Sequence, residues 1–295
     1  MSQGIINLQT YSRPKLLKDC LESIYECEGA KDLTKVIVLQ TGNKEVEDLV
    51  YEFADSKTEV MQVDGSGRTP LQNMNWNRWV AWEKGFEELK ASWILSIEED
   101  IIIHSKTIKF VSKLFEELSN DKFFRGINLG SKLTDIDLNC TYSKLRFGLH
   151  GCGAAISRET WRKIKKLQID KKIDKFPLDA CIEHILKDGY MATPNLSHYL
   201  DYGWYQGTHT NSDPNDPHYL SVKESFEVNH GDCAEIRFSQ VDHNWRSDCV
   251  AFERSDFLRF KLQKYLSLLW MTKFWVLVYK GLRNTKRTFF NQPRL

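Results

Sequence analysis

The chain has 295 residues, of which 41% are hydrophobic and 12% aromatic, and its formal net charge is +1. A chain of this size and composition can bury a large core, which excludes a disordered protein and predicts one large domain, with or without an appendage. Its seven cysteines form no C-x-x-C pair and follow no recognisable signal peptide. This argues against a disulfide-rich exported protein and favours a reducing, cytoplasmic compartment.

The first hundred residues alternate between short apolar runs and stretches with helical periodicity. Strands are predicted at 5–8, 36–39, 58–63 and 93–97, and helices at 15–27, 46–53 and 75–89. Strands that alternate with helices predict an α/β fold in which a Rossmann-like, mixed and mostly parallel sheet is flanked by helices. In the third helix, Trp76, Trp79 and Trp82 are read mainly as core residues, with stacking on a base or sugar as the alternative.

Polar residues stand where the predicted strands end. Thr10 and Thr41 follow the first two strands, Asp64 follows the third, and the triplet Glu98-Glu99-Asp100 follows the fourth. Ligands of open α/β sheets bind at the carboxyl ends of strands, so we expect these loops to share one cleft.

The acidic triplet is the strongest chemical signal in the chain. Carboxylates are hard oxygen ligands, suited to Mg²⁺ or Mn²⁺. A cation held there could bridge the two phosphates of a nucleotide-sugar and offset the charge that develops on the departing diphosphate. The alternative is that the three acids are merely solvated at the edge of a strand.

The second half of the chain alternates less regularly. A strand is predicted at 126–129, and the run Gly151-Cys-Gly-Ala-Ala-Ile precedes a helix that begins near Ser157. This region suits an acceptor-binding half. We therefore expect a catalytic domain over 1–250, with a nucleotide-sugar half at 1–104 and an acceptor half at 105–250, followed by a separate segment at 251–295.

Several short motifs occur in an order that resembles the GT-A glycosyltransferases, in particular bacterial family 2 enzymes and inverting N-acetylglucosaminyltransferases. They are Thr10-Tyr-Ser-Arg-Pro14, Asn77-Arg78 with Gly85-Phe86, Ser96-Ile-Glu-Glu-Asp100 and the glycine-rich run from Gly151. The resemblance covers roughly residues 3–212 and departs from the family at Glu99. It implies a GT-A type sheet and a hexosyl- or N-acetylhexosaminyltransferase that uses a nucleotide-sugar, with UDP favoured.

The resemblance also implies a metal site for Mn²⁺ or Mg²⁺. In it, Asp100 is the main metal ligand, while Glu98 and Glu99 contact the ribose or a metal-bound water. His209, in the segment that resembles the closing loop of related bacterial enzymes, is the second protein ligand. The alternative for His209 is an exposed loop histidine, and other histidines of the same region could replace it.

A catalytic base is implied by the segment Phe176-Pro-Leu-Asp179-Ala-Cys-Ile-Glu183. Inverting members carry an acid there that deprotonates the acceptor hydroxyl, which requires a carboxylate within hydrogen-bond reach. Asp179 is the first choice and Glu183 the reserve. The alternative for Asp179 is an acid that only interacts favourably with a helix N-terminus.

Arg13 and Arg78 are expected to bind the donor, together with Thr10 and Thr41. An arginine presents a planar, permanently charged fork that suits phosphate. Either arginine could instead form a salt bridge with an acid, and the sequence leaves that choice open.

The C-terminal segment differs from the rest in charge. Residues 261–295 hold eight Lys or Arg and no acid, interleaved with Leu, Trp and Tyr. A helix at 261–290 that lies on the cytoplasmic face of the inner membrane is the favoured interpretation, with a glycan or lipid-linked glycan such as lipopolysaccharide as acceptor. The alternatives are packing on the catalytic domain or on a second subunit.

Three other functions were weighed. A catalytically inactive GT-A-like scaffold would bind a nucleotide or membrane without turnover. A nucleotidyltransferase would need a glycine-rich basic loop after the first strand, which Thr10-Tyr-Ser-Arg-Pro14 is not. A DNA-modifying glycosyltransferase would use the basic tail on phosphates, but no wider basic face supports nucleic acid as a partner.

Overall fold

The computed structural model describes residues 3–130, 141–145, 153–171, 189–203, 215, 217–227 and 237–238. The chain divides into two units, Met1–Trp245 and Arg246–Leu295, and every described residue belongs to the first. The predicted sites Asp179, Glu183 and His209 and the segment 251–295 lie outside the described residues. Their roles remain predictions.

Within the described part of the chain, nine strands form one sheet in the order β11-β7-β9-β6-β8-β4-β1-β2-β3, and β10 pairs with β5 in a second, small sheet. The strands are β1 Gly4–Thr10, β2 Thr34–Gln40, β3 Thr58–Val63, β4 Trp93–Glu98, β5 Ile101–Ile103, β6 Phe124–Asn128, β7 Thr141–Leu145, β8 Gly153–Ser157, β9 Tyr190–Pro194, β10 Tyr199–Asp201 and β11 Arg237–Phe238.

Helices fill the connections between these strands. The α-helices are α1 Pro14–Glu26, α2 Lys44–Phe53, α3 Pro70–Glu83, α4 Thr107–Leu118, α5 Arg158–Lys171 and α6 Pro217–Glu227. A short 3₁₀ turn at Ala30–Asp32 precedes β2, and a π-helical turn at Lys84–Glu88 extends α3.

The first half of the sheet is parallel and the second half is mixed. Strands β3, β2, β1 and β4 run in one direction, in register from Gly4 opposite Trp93 and from Ile5 opposite Thr34. Strand β8 then runs antiparallel between β4 and β6. The fold that the GT-A resemblance predicted, a mixed and mostly parallel sheet flanked by helices, is confirmed.

Both faces of the sheet are covered. One apolar cluster joins β1, β2 and β4 to α1, α2 and α4, and a second joins the opposite face of the same strands to α3 and α5. Strands covered on both faces read as continuous apolar runs, which is why the central strands could be located from the sequence. The alternation of faces along these strands also determines which side chains meet at the site.

Helix α3 differs from its prediction. It begins at Pro70 rather than near Asn75, because Thr69 and Gln72 form a capping box in which each side chain binds the other residue's backbone N–H. Trp79 and Trp82 are buried, as predicted, whereas the core interpretation of Trp76 is wrong, since that residue is 42% exposed. Its ring packs instead against the Arg68 guanidinium, 4.8 Å from the ring centroid.

The sequence analysis assigned no element between 104 and 122, where the structure has α4. The helix buries one face on the sheet, with side chains at helical spacing: Ile108, Val111, Leu114, Phe115 and Leu118. Trp93 of β4 stacks on Phe115 with ring centroids 5.3 Å apart. None of the helices in the described residues is long and apolar enough to cross a membrane.

Glycine at position 126 is required by the close approach of β6 and β8. A Cβ added to Gly126 would overlap the backbone carbonyl oxygen of Ala155, whereas one added to Gly153 would meet its nearest neighbours at ordinary contact distance, 3.5 Å. We predict that Gly126→Ala lowers the free energy of unfolding by about 1–3 kcal/mol, the usual cost of overpacking. Denaturant unfolding measures this, with Gly153→Ala as the matched control in the neighbouring strand. Equal stability of the two variants would contradict this packing.

Candidate active site

On the face that carries α3, the central strands begin apolar and end polar. Successive side chains of a strand point to opposite faces, so every second residue of β1, β2 and β4 faces α3. The apolar members of this set are Ile5, Val36, Val38 and Ile94. The polar ones are Thr34 at the start of β2 and, further along the strands, Asn7, Gln9, Gln40, Ser96 and Glu98. A polar layer therefore lies under α3 at the carboxyl edge of the sheet.

The buried carboxylate of Glu99 holds the loop between β1 and α1. It is 0% exposed and accepts hydrogen bonds from the backbone N–H of Tyr11 at 2.5 Å and of Ser12 at 3.3 Å. The Nε of Arg13 donates to the same carboxylate at 2.8 Å. Glu99 thus joins the end of β4 to the end of β1, across more than eighty residues of sequence.

Asp100 is the next acid and is 7% exposed. Its Oδ2 lies 2.8 Å from Nη1 of Arg13, and its backbone carbonyl accepts the N–H of Tyr202 at 2.9 Å. A Cβ added to Gly203 would overlap Oδ2, so the chain after β10 passes directly beside this carboxylate. Among the described residues, the buried Oδ1 has no hydrogen-bonding partner.

Glu98 forms a salt bridge with Arg78 of α3. The Arg78 side chain is 0% exposed and that of Glu98 is 14% exposed, with Nη2 and Oε1 2.8 Å apart. Beside them, Nε1 of Trp82 donates to Oγ of Ser96 at 2.8 Å. The fully buried Arg78 thus fixes the position of the Glu98 carboxylate at the edge of the polar layer.

Tyr11 is a site residue that the sequence analysis missed. Its hydroxyl donates to Oε1 of Gln9 at 3.2 Å. Burial raises the pKa of Tyr11 well above its usual value, and the negative charge of Glu98 adds to the increase. The hydroxyl therefore stays neutral and able to donate at any physiological pH.

Two amide side chains meet around Gly65, after β3. A Cβ at Gly65 would lie 2.6 Å from Nε2 of Gln40 and 2.9 Å from Nδ2 of Asn73, and Asn73 also donates to the Gly65 carbonyl at 3.2 Å. In the described part of the chain, Oε1 of Gln40, Oδ1 of Asn73 and Nε2 of Gln9 have no hydrogen-bonding partner. Buried amide atoms without partners are costly, which marks this place as one that a ligand or water could complete.

The two threonines occupy neighbouring strand ends. The buried hydroxyl of Thr10 donates to the Val38 carbonyl at 3.1 Å and so joins β1 to β2. Thr41 is exposed, and its hydroxyl donates to the Val63 carbonyl at 3.4 Å. The loops after β1, β2, β3 and β4 all lie at the carboxyl edge of the parallel strands, as the sequence analysis expected.

Seven predicted site residues thus lie at one edge of the sheet. Five of them form side-chain salt bridges in two groups, Arg13 with Glu99 and Asp100, and Arg78 with Glu98. In this structure both arginines pair with acids, and their contact with a donor stays a prediction. The missed residues Gln9, Tyr11 and Gln40 had a readable signal. Gln9 and Gln40 are polar residues near the ends of largely apolar strands, and Tyr11 is the first residue after β1.

The described residues were also tested for a metal site. They contain no group of three or more His, Cys, Asp or Glu that could hold a metal ion. Asp100 does fit the role of a single carboxylate ligand, because it is next to the loop after β10 and its Oδ1 has no partner among the residues described. A metal at this edge would need further ligands from outside the described residues or from a bound donor.

No protein-family model and no curated protein matches the chain. Solved structures do show similarity. The 1–349 fragment of S. aureus TarS matches with a TM-score of 0.43 and 12% identity over 67% of this chain and 59% of that one, and the same fragment has been solved with UDP-GlcNAc. The mannosyltransferase PcManGT from Pyrobaculum calidifontis, in complex with GDP-Man and Mn²⁺, matches with a TM-score of 0.45 and 16% identity.

The match to the mannosyltransferase covers 66% of this chain and 55% of that one. The chain therefore spans less than two thirds of the length of both the TarS fragment and the mannosyltransferase. A cytidylyltransferase from Leptospira borgpetersenii also matches, with a TM-score of 0.34 and 13% identity over 59% of this chain and 71% of that one.

The Arg78–Glu98 pair provides a test of the site's packing. Removal of one partner of a buried salt bridge leaves an uncompensated charge, so we predict that Arg78→Met lowers the free energy of unfolding by about 3 kcal/mol. Adding Glu98→Gln should restore at least ~1 kcal/mol, because the orphaned charge is then removed as well. Denaturant unfolding of the single and double variants measures both effects. A double variant no more stable than Arg78→Met alone would show that the two side chains are not coupled.

Proposed function

We propose that this chain is a glycosyltransferase that transfers a sugar from a nucleotide-sugar, with a UDP-sugar favoured, to a glycan or lipid-linked glycan. The observation that carries the proposal is the cluster of acids and arginines at the ends of the adjacent parallel strands β1 and β4. Arg13 pairs there with Glu99 and Asp100, and Arg78 pairs with Glu98. Ligands of open α/β sheets bind at this edge.

The polar layer supports a nucleotide as the donor's leaving group. A nucleobase presents hydrogen-bond donors and acceptors on one edge, and the unpartnered atoms of Gln9, Gln40 and Asn73 supply one donor and two acceptors near the ends of β1 and β2. Thr41 and the loop at Gly65 lie at the same edge. We propose that base and ribose bind over β1 and β2, and the diphosphate over the end of β4.

A divalent cation, Mn²⁺ or Mg²⁺, would be held by Asp100, with His209 as the second protein ligand. When bound, it would act as a Lewis acid that offsets the charge of the departing diphosphate. The chain's own task would be to fix that residue. The Arg13 guanidinium and the close passage of Gly203 contact its carboxylate, and the Tyr202 N–H donates to its backbone carbonyl. Glu98, held by Arg78, is the acid left to contact the ribose or a metal-bound water.

In the proposed inverting reaction, Asp179 takes the proton of the acceptor hydroxyl, with Glu183 in reserve. The acceptor oxygen forms a bond to the anomeric carbon as the bond from that carbon to the diphosphate oxygen breaks, and the nucleoside diphosphate leaves. We further propose that the segment 261–290 contacts the cytoplasmic face of a membrane through its lysines and aromatic residues, which would bring a lipid-linked acceptor within reach.

One observation weighs against the nucleotidyltransferase alternative. Such an enzyme would use the loop after the first strand to bind phosphates through backbone N–H groups. Here the N–H groups of Tyr11 and Ser12 donate to Glu99, and the loop carries no glycine. An inactive scaffold would keep the same binding site, so only turnover distinguishes it from an enzyme.

Nucleotide binding tests the proposal first. We predict that one of UDP, GDP and CDP stabilises the protein in a Mn²⁺-dependent manner, by about 2.7 kcal/mol at a nucleotide concentration ~100 times its dissociation constant. Asp100→Ala should abolish the Mn²⁺-dependent part of the stabilisation. Thermal unfolding with and without Mn²⁺ measures this.

The matched control is Asp48→Ala, which removes an exposed acid of α2 that pairs only across one helical turn with Lys44. It should respond to nucleotide like the wild type. If no nucleotide stabilises the wild type with or without Mn²⁺, the proposed donor site is wrong.

A further inference from the structure

The guanidinium of Arg13 occupies a position between two acids of the triplet. Its Nε donates to Oε1 of Glu99 and its Nη1 to Oδ2 of Asp100, both at 2.8 Å. The two bonds involve different nitrogens of Arg13, and the two acids differ in their other hydrogen-bonding partners. Glu99 also accepts two backbone N–H groups, whereas Asp100 pairs with no cation other than Arg13 in the described part of the chain.

We propose that Arg13 is a built-in counter-cation that competes with the divalent ion for Asp100, so that the protein binds the metal weakly until the donor is present. The inference rests on the proposed function, in which Asp100 holds the metal. It goes beyond it by assigning to Arg13 a control over metal affinity that is separate from any contact with the donor.

The surroundings of Asp100 set the Arg13 guanidinium and a divalent ion in competition for its carboxylate. The side chain of Asp100 is 10% exposed and that of Arg13 is 26% exposed, so solvent screens the pair only in part. Oδ2 is already in contact with Nη1 and lies against Gly203, and Oδ1 is buried. A divalent ion that binds this carboxylate must either displace Nη1 or remain beside it, and two cations on one carboxylate repel each other.

Arg13 stays protonated while it is paired with the two acids. Although burial alone would lower the pKa of Arg13, the charges of Asp100 and Glu99 raise it overall. Arg13 therefore cannot vacate the site by losing its proton. It can do so by giving up Nη1 while Nε keeps its bond to Glu99, which holds the β1–α1 loop in place by its own backbone contacts.

A nucleotide diphosphate changes this balance because it brings negative charge to the same edge. With the diphosphate present, the divalent ion gains ligands that Arg13 does not compete for, and the added positive charge is compensated. The expected behaviour is that metal and donor bind together, and that metal alone binds poorly to the wild-type protein.

The experiment measures binding of Mn²⁺ alone, without nucleotide, to the full chain by electron paramagnetic resonance of the free ion. We predict that Arg13→Gln lowers the dissociation constant for Mn²⁺ by about tenfold, which corresponds to ~1.4 kcal/mol. Lys18→Gln removes one positive charge from the same helix at an exposed position, 59% exposed in its side chain. The dissociation constant of that control for Mn²⁺ should stay within about twofold of the wild-type value, because the charge of Lys18 is exposed and screened by solvent and salt.

Two further variants separate the proposed competition from a general charge effect. In an Asp100→Asn background, Arg13→Gln should give no gain, because the carboxylate for which the cations compete is absent. Arg13→Lys keeps the charge but replaces the planar fork, whose Nε and Nη1 each reach a different acid, by a single nitrogen, so we expect a gain of about threefold. This conservative variant also keeps the test usable if Arg13→Gln does not fold.

An unchanged or weaker Mn²⁺ affinity in folded Arg13→Gln and Arg13→Lys would overturn the inference, as would a gain that persists with Asn at position 100. So would the absence of Mn²⁺ binding by every variant at millimolar concentrations. Nucleotide stabilisation of the wild type is read separately. If nucleotide stabilises the protein while the Arg13 variants bind Mn²⁺ like the wild type, the inference fails and the proposed function stands.

Discussion

The site depends on the buried carboxylate of Glu99, which binds three donors of the β1–α1 loop. A carboxylate without water around it requires such partners, because an isolated buried charge is strongly unfavourable. The loop can satisfy it only by folding back over the end of β4. This constraint brings Arg13 beside Asp100 and places Tyr11 over the polar layer. Glu99 is therefore the residue on which the geometry of the neighbouring acids depends.

A gradient of polarity along the sheet complements this constraint. On the α3 face, the same strands that bury Ile5 and Ile94 at one end carry Gln9 and Glu98 at the other. The apolar end stabilises the fold, and the polar end offers hydrogen bonds that the protein itself leaves incomplete. A buried salt bridge such as Arg78–Glu98 adds little net stability, so its position at the carboxyl edge is better explained by the need to hold a carboxylate in a fixed orientation.

The sequence was sufficient for the parts of the fold that repeat a simple period. The strands β1, β2 and β4 contain short, mostly apolar runs, and the residues just beyond them lie at one edge of the sheet. It was not sufficient where tertiary contacts decide. Whether Arg13 pairs with acids or with phosphate depends on the distance from α1 to β4. Trp76, Trp79 and Trp82 follow one another at three-residue intervals, and only the packing of α3 on the sheet shows that Trp76 is exposed. The helix α4 had a readable pattern that was overlooked.

Above all, we propose that the acids and arginines at the ends of β1 and β4 serve the transfer of a sugar from a nucleotide-sugar. The most direct measurement is product analysis by chromatography after incubation of the purified chain with nucleotide-sugars and Mn²⁺, and in parallel with nucleoside triphosphates and sugar phosphates. The account predicts slow release of nucleoside diphosphate and free sugar from one nucleotide-sugar, as water replaces the acceptor. Release of pyrophosphate from a nucleoside triphosphate, with no cleavage of any nucleotide-sugar, would contradict it.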